Sequence, residues 1–236
     1  MKQLEKALEQ LNIPYDDEMI GKFKKYMDEI LRWNKMVNIT SIKEEQEFIK
    51  KHYIDSLLCV GFPEFQEAKK ILDMGTGGGF PGVPLAIIAP NKKFILMDSL
   101  NKRVKIIQEI CSDLGINNVR VIHGRAEEWA RKKGYRESYG LCISRAVANL
   151  ATLSEYCLPY VELSGSFLAY KGAECDEEIQ ASKNAIDLLG GQIQRQEKVQ
   201  LSGFDLNHQI IVIGKVNKTP PNYPRKAGIP SKEPLK

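Results

Sequence analysis

Histidine, paired cysteine and long apolar runs are scarce or missing in this 236-residue sequence. Its three histidines are scattered, and its five cysteines (Cys59, Cys111, Cys142, Cys157, Cys175) form no C-x-x-C pair. Without ligand spacing, a metal centre is not expected. An odd number of thiols in apolar surroundings suits reduced, buried cysteines of a cytoplasmic protein rather than a disulfide framework. No apolar run approaches the roughly 20 residues of a membrane span. The N-terminal MKQLEKALEQL is amphipathic and carries acidic residues, unlike a signal peptide.

Charge is modest as well, with a formal net of +4. Its distribution is uneven. Residues 215–236 carry six Lys/Arg against Glu233, a net of +5, so the rest of the chain sums to −1. Five of the eleven prolines also lie beyond Val216. Residues 217–236 therefore read as a basic, proline-rich arm, either for a polyanion or merely solubilising.

What is present begins with two helical patterns. Leu4, Leu8 and Leu11 share one face, and Ile20, Phe23, Met27, Ile30 and Leu31 recur at helical spacing. A further helix is expected from about Lys43 to Val60. Residues 1–62 thus form a helical N-terminal extension whose apolar faces need a partner. From Lys70 onward, strand and helix patterns alternate. Strands are predicted at 70–74, 94–98, 118–123, 139–145 and 165–170, with helices between, which argues for a parallel sheet. Two closely spaced strands, 192–200 and 208–215, suit an antiparallel pair. The expected fold class is α/β, with residues 63–216 as the main domain.

The centre of that domain is ILDMGTGGGFPGVP, residues 71–84. It reads as a buried strand, a glycine turn and a helix start. The dinucleotide fingerprint would need a glycine where Phe80 stands. The observed D-x-G-x-G-x-G (Asp73, Gly75, Gly77, Gly79) resembles instead the first motif of class I S-adenosylmethionine-dependent methyltransferases. An acidic strand end favours the cationic amino-acid end of that cofactor over a phosphate.

In an open α/β sheet, ligands lie beyond the carboxyl ends of the strands. The second strand ends at Asp98-Ser99, where an acidic side chain suits ribose hydroxyls; Ser99 or Asn101 would cap the next helix and leave Asp98 free. The third leads to Arg125-Ala126-Glu127, where Ala126 and Glu127 border an adenine or serve the helix start. The fourth ends at Ser144-Arg145-Ala146. Arg145 among apolar residues needs an anion, either the cofactor carboxylate or a substrate phosphate; the alternative is a surface ion pair. The fifth ends at Tyr170-Lys171-Gly172, with Lys171 expected at the cleft mouth. His52 and Asp55, in HYIDSL, suit a buried structural pair or a site equally well. Neither the Asn/Asp-Pro-Pro-aromatic motif of adenine-amine methylation nor the cysteine nucleophile of 5-methylcytosine formation is found. An acceptor with a free lone pair, such as guanine N7, needs neither and requires mainly alignment with the methyl donor.

Several segments together resemble the RsmG (GidB) family. They are WNKMVNIT (33–40), HYIDSL (52–57), LDMGTGGGFPGVPLAI (72–87), MDSLNKRVKII (97–107), RAEEW (125–129), ISRAVANL (143–150), YKG (170–172) and YPRKAGIPSKEPL (223–235). The resemblance implies a Rossmann-like class I fold with a seven-stranded, mostly parallel sheet. It implies methyl transfer from S-adenosyl-L-methionine, leaving S-adenosyl-L-homocysteine, to N7 of guanine 527 in the 530 loop of 16S ribosomal RNA. It further implies cofactor contacts at Gly75, Phe80, Asp98, Ala126, Glu127 and Arg145, to which the glycine turn and second strand end add Asp73, Gly77, Gly79 and Ser99 as expected cofactor-binding residues. RNA contacts are implied at Lys102, Arg103, Lys171, Arg225 and Lys226. A cytoplasmic, metal-free monomer acting on the small ribosomal subunit is expected. The alternatives are a methyltransferase for another RNA or a small molecule, and a non-catalytic RNA-binding or ribosome-assembly module.

Overall fold

The computed structural model describes residues 1–145, 148–206 and 208–236. Its frame is a seven-stranded sheet in the order β3-β2-β1-β4-β5-β7-β6. The strands are β1 (Lys70–Met74), β2 (Lys93–Asp98), β3 (Val119–His123), β4 (Tyr139–Arg145), β5 (Val161–Gly172), β6 (Gly191–Glu197) and β7 (His208–Lys215). β1 to β5 run parallel, while β7 runs antiparallel between β5 and β6. The crossover at β1, with β2 on one side and β4 on the other, opens a crevice at the carboxyl ends of these strands.

Alternation along the strands divides the core in two. Ile71, Phe94, Leu96, Leu141, Ile143, Leu168, Ile210 and Val212 face one layer, and Leu72, Met97, Cys142, Phe167, Ile211 and Ile213 face the other. The first layer is built by the N-terminal helices α1 (Lys2–Gln10) and α2 (Asp17–Asn34), with α5 (Gly82–Ile88) and α6 (Asn101–Asp113). The second contains α8 (Leu150–Cys157) and α9 (Asp176–Leu188). Short helices complete the set: α3 (Glu45–Phe48), α4 (Pro63–Glu67), α7 (Ala126–Trp129) and α10 (Ile229–Lys232).

The N-terminal helices are not an appendage. Asp16 caps α2 by accepting from Met19 N at 2.8 Å, and Phe23, Tyr26, Met27 and Ile30 bury one stripe of it. These side chains belong to the same apolar cluster as the sheet face. The helix expected over residues 43–60 is broken into α3, a π-helical turn at Ile49–Ile54 and a 3₁₀ turn at Leu57–Cys59. The wider π turn buries Tyr53 and Ile54 together and brings His52 and Asp55 to Arg145 at the end of β4.

The tail is the clearest departure from the sequence reading. It packs on the second layer: Pro230 is buried and its carbonyl accepts from Thr152 Oγ1 at 2.9 Å. Arg136 donates to the carbonyls of Thr219, Pro220 and Tyr223. Lys215, counted with the basic arm, is itself buried; its ammonium donates to Leu158 O at 2.6 Å, and burial pushes its pKa down to about 8. Side chain–backbone bonds of this kind hold a proline-rich segment without periodic structure of its own.

Candidate functional site

The glycine turn leaves β1 and is pinned to β2, with Gly75 N and Thr76 N both donating to Met97 O at 2.9 and 3.0 Å. Behind it lies Asp73, fully buried. Its Oδ2 accepts from Thr76 Oγ1 at 2.6 Å and from Gly82 N at 2.8 Å, while Oδ1 has no partner among the described residues. Burial raises the Asp73 carboxyl to about 6, against those two hydrogen bonds. Asp73 thus has a structural part in the turn that the sequence reading did not assign to it. Its bonded oxygen holds the turn and the start of α5 from within.

Two glycines have distinct reasons to be glycine. Gly77 has φ +57°, and a Cβ there would meet only Gly75 O, at 4.0 Å, so it is the backbone conformation rather than crowding that calls for glycine. Gly79 has φ +86°, and a Cβ would lie 2.1 Å from Tyr26 Oη. Tyr26 in turn donates to Gly78 O at 2.9 Å, so a residue of α2 buttresses the turn.

The cleft has two lobes that share Gly75, Asp98 and Ser99. One, of about 380 Å³, is lined by the glycine turn with Ile39, His52, Phe80, Leu100, Arg103 and Arg145. The other, of about 240 Å³, runs past Met74, Met97, Gly124, Ala126, Glu127 and Tyr156. Asp98 stands at the junction. It is not left free for a ligand as expected, because its Oδ2 accepts from Gly77 N at 2.9 Å and Oδ1 from Leu100 N at 2.8 Å. Each oxygen keeps a second lone pair.

The lobe at the glycine turn has a charged wall. Arg145 donates to Asp55 Oδ2 at 2.5 Å and to Lys51 O at 2.9 Å from Nη1, and to His52 Nδ1 at 3.2 Å from Nη2. Arg145 is thus partnered by a protein carboxylate, but in the interior and not in the surface ion pair that the sequence reading weighed. Its Nε–H and one Nη2–H make no hydrogen bond among the described residues. Burial pushes the Asp55 carboxyl up, but hydrogen bonds and charge from His208 and Arg145 outweigh it and hold the group below its ordinary value. His52 stacks on Phe80 with ring centroids 4.2 Å apart. Burial and then the Arg145 charge lower its pKa to about 3, so it is neutral. The network assigns the proton to Nε2, which donates to Thr40 Oγ1 at 2.7 Å.

The outer lobe is closed by the tail. Glu127, also buried, accepts from Gly228 N at 2.9 Å, and Ser231 lines the lobe beside Tyr156. Arg225 clamps Glu155, whose side chain is fully buried, at 2.7 Å. The reading of Arg225 as an RNA contact is corrected: its guanidinium is committed to this pair. Lys171 is corrected likewise, since its ammonium is nearly buried between Glu178 Oε1 at 2.7 Å and Ala148 O at 2.6 Å. Lys102 and Lys226 are exposed, and half-buried Arg103 lines the first lobe. Ala146, named at the end of the fourth strand, and Val147 lie outside the described residues.

One consequence is measurable. Arg225→Ala would strand the Glu155 carboxylate in the interior, at an expected cost of about 3 kcal/mol. Urea unfolding should show that loss, while the salt dependence of polyanion binding stays unchanged. A flattened salt slope with unaltered stability would restore the free-arm reading.

Sequence reasoning missed Ile39, Thr40, Met74, Met97, Tyr156, Ser231 and His208 as neighbours of the site. Met74 stands inside the glycine motif, Ile39 and Thr40 within WNKMVNIT, Met97 within MDSLNKRVKII and Ser231 within YPRKAGIPSKEPL, so each had a segment-level signal; Tyr156 and His208 had none.

Residues 19–206 match the family described as rRNA small subunit methyltransferase G (GidB). A "Ribosomal RNA small subunit methyltransferase G" from Clostridium novyi is 46% identical over 229 residues, covering 97% of this chain and 94% of that protein. One of the same description from Clostridium kluyveri is 48% identical over 226 residues, covering 96% and 94%. In fold alone, the chain is similar to the crystal structure of a ribosomal protein L11 methylase from Lactobacillus delbrueckii subsp. bulgaricus, with TM-score 0.52, 12% identity and coverage of 71% of this chain and 79% of that one. The match runs through the glycine turn, the Asp98 junction and the Arg145–Asp55 wall alike, and the chain belongs to the rRNA small subunit methyltransferase G (GidB) family.

Proposed function

We propose that this chain transfers a methyl group from S-adenosyl-L-methionine to N7 of a guanine in the RNA of the small ribosomal subunit, acting as a cytoplasmic monomer. Guanine 527 of 16S ribosomal RNA is the proposed position. The relatives' description supports the RNA, and the site chemistry supports the atom.

The observation that carries the reading is the state of the groups around the donor lobe. His52 is neutral, yet its Nδ1 is engaged by Arg145 and its Nε2–H by Thr40. Asp98 is occupied by two backbone N–H groups. Neither is poised to remove a proton from an acceptor. Guanine N7 carries a lone pair and needs no such base.

The residues fit the cofactor. The open backbone at Gly77 admits its methionine portion, and the remaining N–H groups of Arg145 suit the carboxylate. The second lone pairs of Asp98 suit ribose hydroxyls at the junction, and Met74, Met97, Ala126 and Glu127 border the adenine. Phe80, fixed by its stack on His52, forms the wall beside the sulfur end, and Ser99 lines both lobes. When bound, the cofactor supplies a methyl group on a cationic sulfur. The chain's contribution is alignment of the acceptor with that group.

The test is transfer of label from S-adenosylmethionine to 16S ribosomal RNA and to small subunits lacking the modification, with the modified base mapped. Incorporation at one guanine N7 is expected. Cofactor binding without incorporation into either substrate would redirect the reading to another acceptor, and no cofactor binding would overturn it.

A further inference from the structure

We propose that the groove between the end of α2, the loop 38–43 and Arg103 of α6 is the seat of the RNA strand that leads to the target guanine. This rests on the RNA-methylation reading above and adds where the substrate lies.

The groove encloses about 870 Å³ and shares Ile39 and Arg103 with the donor lobe, so it opens directly onto the place of reaction. Its lining includes Lys35, Lys43 and Arg103, several amide and hydroxyl side chains, and no carboxylate. Lys35 and Lys43 are exposed and in no ion pair among the described residues. On the same stretch of chain outside the groove, Lys22 pairs with Glu18 at 2.7 Å, Arg32 with Glu29 at 2.5 Å and Lys51 with Glu47 at 2.7 Å, while Lys24 and Lys25 are exposed without an ion pair among the described residues. What sets the groove apart is three cations with no carboxylate in a hollow that adjoins the donor lobe. Such a concave, single-signed surface attracts a polyanion and releases its counterions.

The wall is also built to keep its shape. Asn34 Oδ1 accepts from Ile39 N and Thr40 N at 2.8 and 3.0 Å, and its Nδ2 donates to Thr40 O at 2.8 Å. Arg103 Nη2 donates to Asn38 O at 3.1 Å and ties the loop to α6. Thr40 then meets His52, and Ile39 lies against the glycine turn at Gly78. One loop thus forms a wall of both the groove and the donor lobe. Leu100, 51% exposed at the lobe's mouth, offers apolar surface for a base.

The competing surfaces are less suited. A second groove of about 650 Å³ is lined by Glu64, Glu67 and Glu162 as well as lysines. It lies at the amino ends of β1 and β4, away from the cleft. In the tail, Lys215 is buried and Arg225 is paired, while Lys218, Lys226, Lys232 and Lys236 are exposed but line neither the groove nor the donor lobe.

The experiment measures filter binding of in vitro transcribed 16S ribosomal RNA across a potassium chloride series, with S-adenosylmethionine affinity measured on the same proteins. The variants are Lys35→Glu and Lys43→Glu. The control is Lys183→Glu, an equal charge change at an exposed position of α9, which lines neither cleft nor groove. Each groove variant is expected to bind RNA about tenfold more weakly, with the slope of log affinity against log salt reduced by about one. Cofactor affinity and thermal unfolding should be unchanged, and the control should match wild type. Lys35→Gln and Lys43→Gln should show the same slope change if a reversed charge perturbs folding. Groove variants that bind RNA as wild type does would overturn the groove assignment alone. A wild-type protein that binds cofactor but methylates no RNA would overturn the reading beneath it.

Discussion

Asp55→Ala is expected to destabilise the protein by about 3–5 kcal/mol near neutral pH, since it leaves a buried guanidinium without its carboxylate. Arg145 retains only 9% side-chain exposure and Asp55 3%, so water replaces little of the lost partner. His208 Nδ1, 2.5 Å from Asp55 Oδ1, loses its acceptor as well. The Asp55 carboxyl titrates lower in the folded chain than in the unfolded one. Its contribution is therefore fully present above the unfolded carboxylate value of about 3.9 and drains away as pH falls through the folded value. Wild type and variant should converge toward acid pH in a series of urea unfolding curves. Cofactor affinity should fall too, because the side chain that orders Arg145 along the lobe is gone. A variant as stable as wild type at pH 7 would show that the pair is not what holds this wall.

Gly79→Ala should disable the cofactor turn. A Cβ would lie 2.1 Å from Tyr26 Oη and 2.8 Å from Val83 Cγ2, at a φ of +86°. Overpacking of this kind costs about 1–3 kcal/mol, and a left-handed backbone at a non-glycine residue adds about 1–2 kcal/mol. Tyr26 cannot retreat easily, being fully buried and bonded to Gly78 O. Relief must come from the turn itself, so S-adenosylmethionine affinity should drop by about tenfold or more, the equivalent of at least 1.4 kcal/mol. Adding Tyr26→Phe removes the nearest clashing atom but neither the Val83 contact nor the positive φ. The double variant should recover part of the affinity. Wild-type cofactor affinity in Gly79→Ala alone would contradict this account of the turn.

The strands were legible because each is a local pattern. FILMD and YGLCISR alternate between two apolar layers, and their ends are marked by polar residues. The glycine turn was legible for the same reason: four glycines in five positions state a backbone requirement within one segment. Asp98 was legible as a residue of the cleft, but not its two backbone bonds, since Gly77 N reaches it from another loop.

The charged residues were read less well, because a charge takes its meaning from whatever it meets. Arg145 and Asp55 are 90 positions apart, and Arg225 and Glu155 are 70 apart. Nothing in either local sequence names the other. The tail shows the same difficulty. Proline and lysine content is typical of a solvated arm, yet bonds from Arg136, Thr152, Glu127 and Glu155 fasten it over the outer lobe. Conversely, nothing in the sequence marked Lys35 or Lys43 as facing RNA, and only the folded loop 38–43 sets them beside Arg103.

By itself, then, the sequence determined the α/β alternation, the glycine turn and the position of the cleft beyond the strand ends. These follow from backbone conformation and side-chain periodicity, which act over a few residues. Which cations are spent within the protein and which remain available to a polyanion was decided only by the tertiary structure. Ion pairing and burial depend on distance in space, and a residue's neighbours in the chain do not fix it.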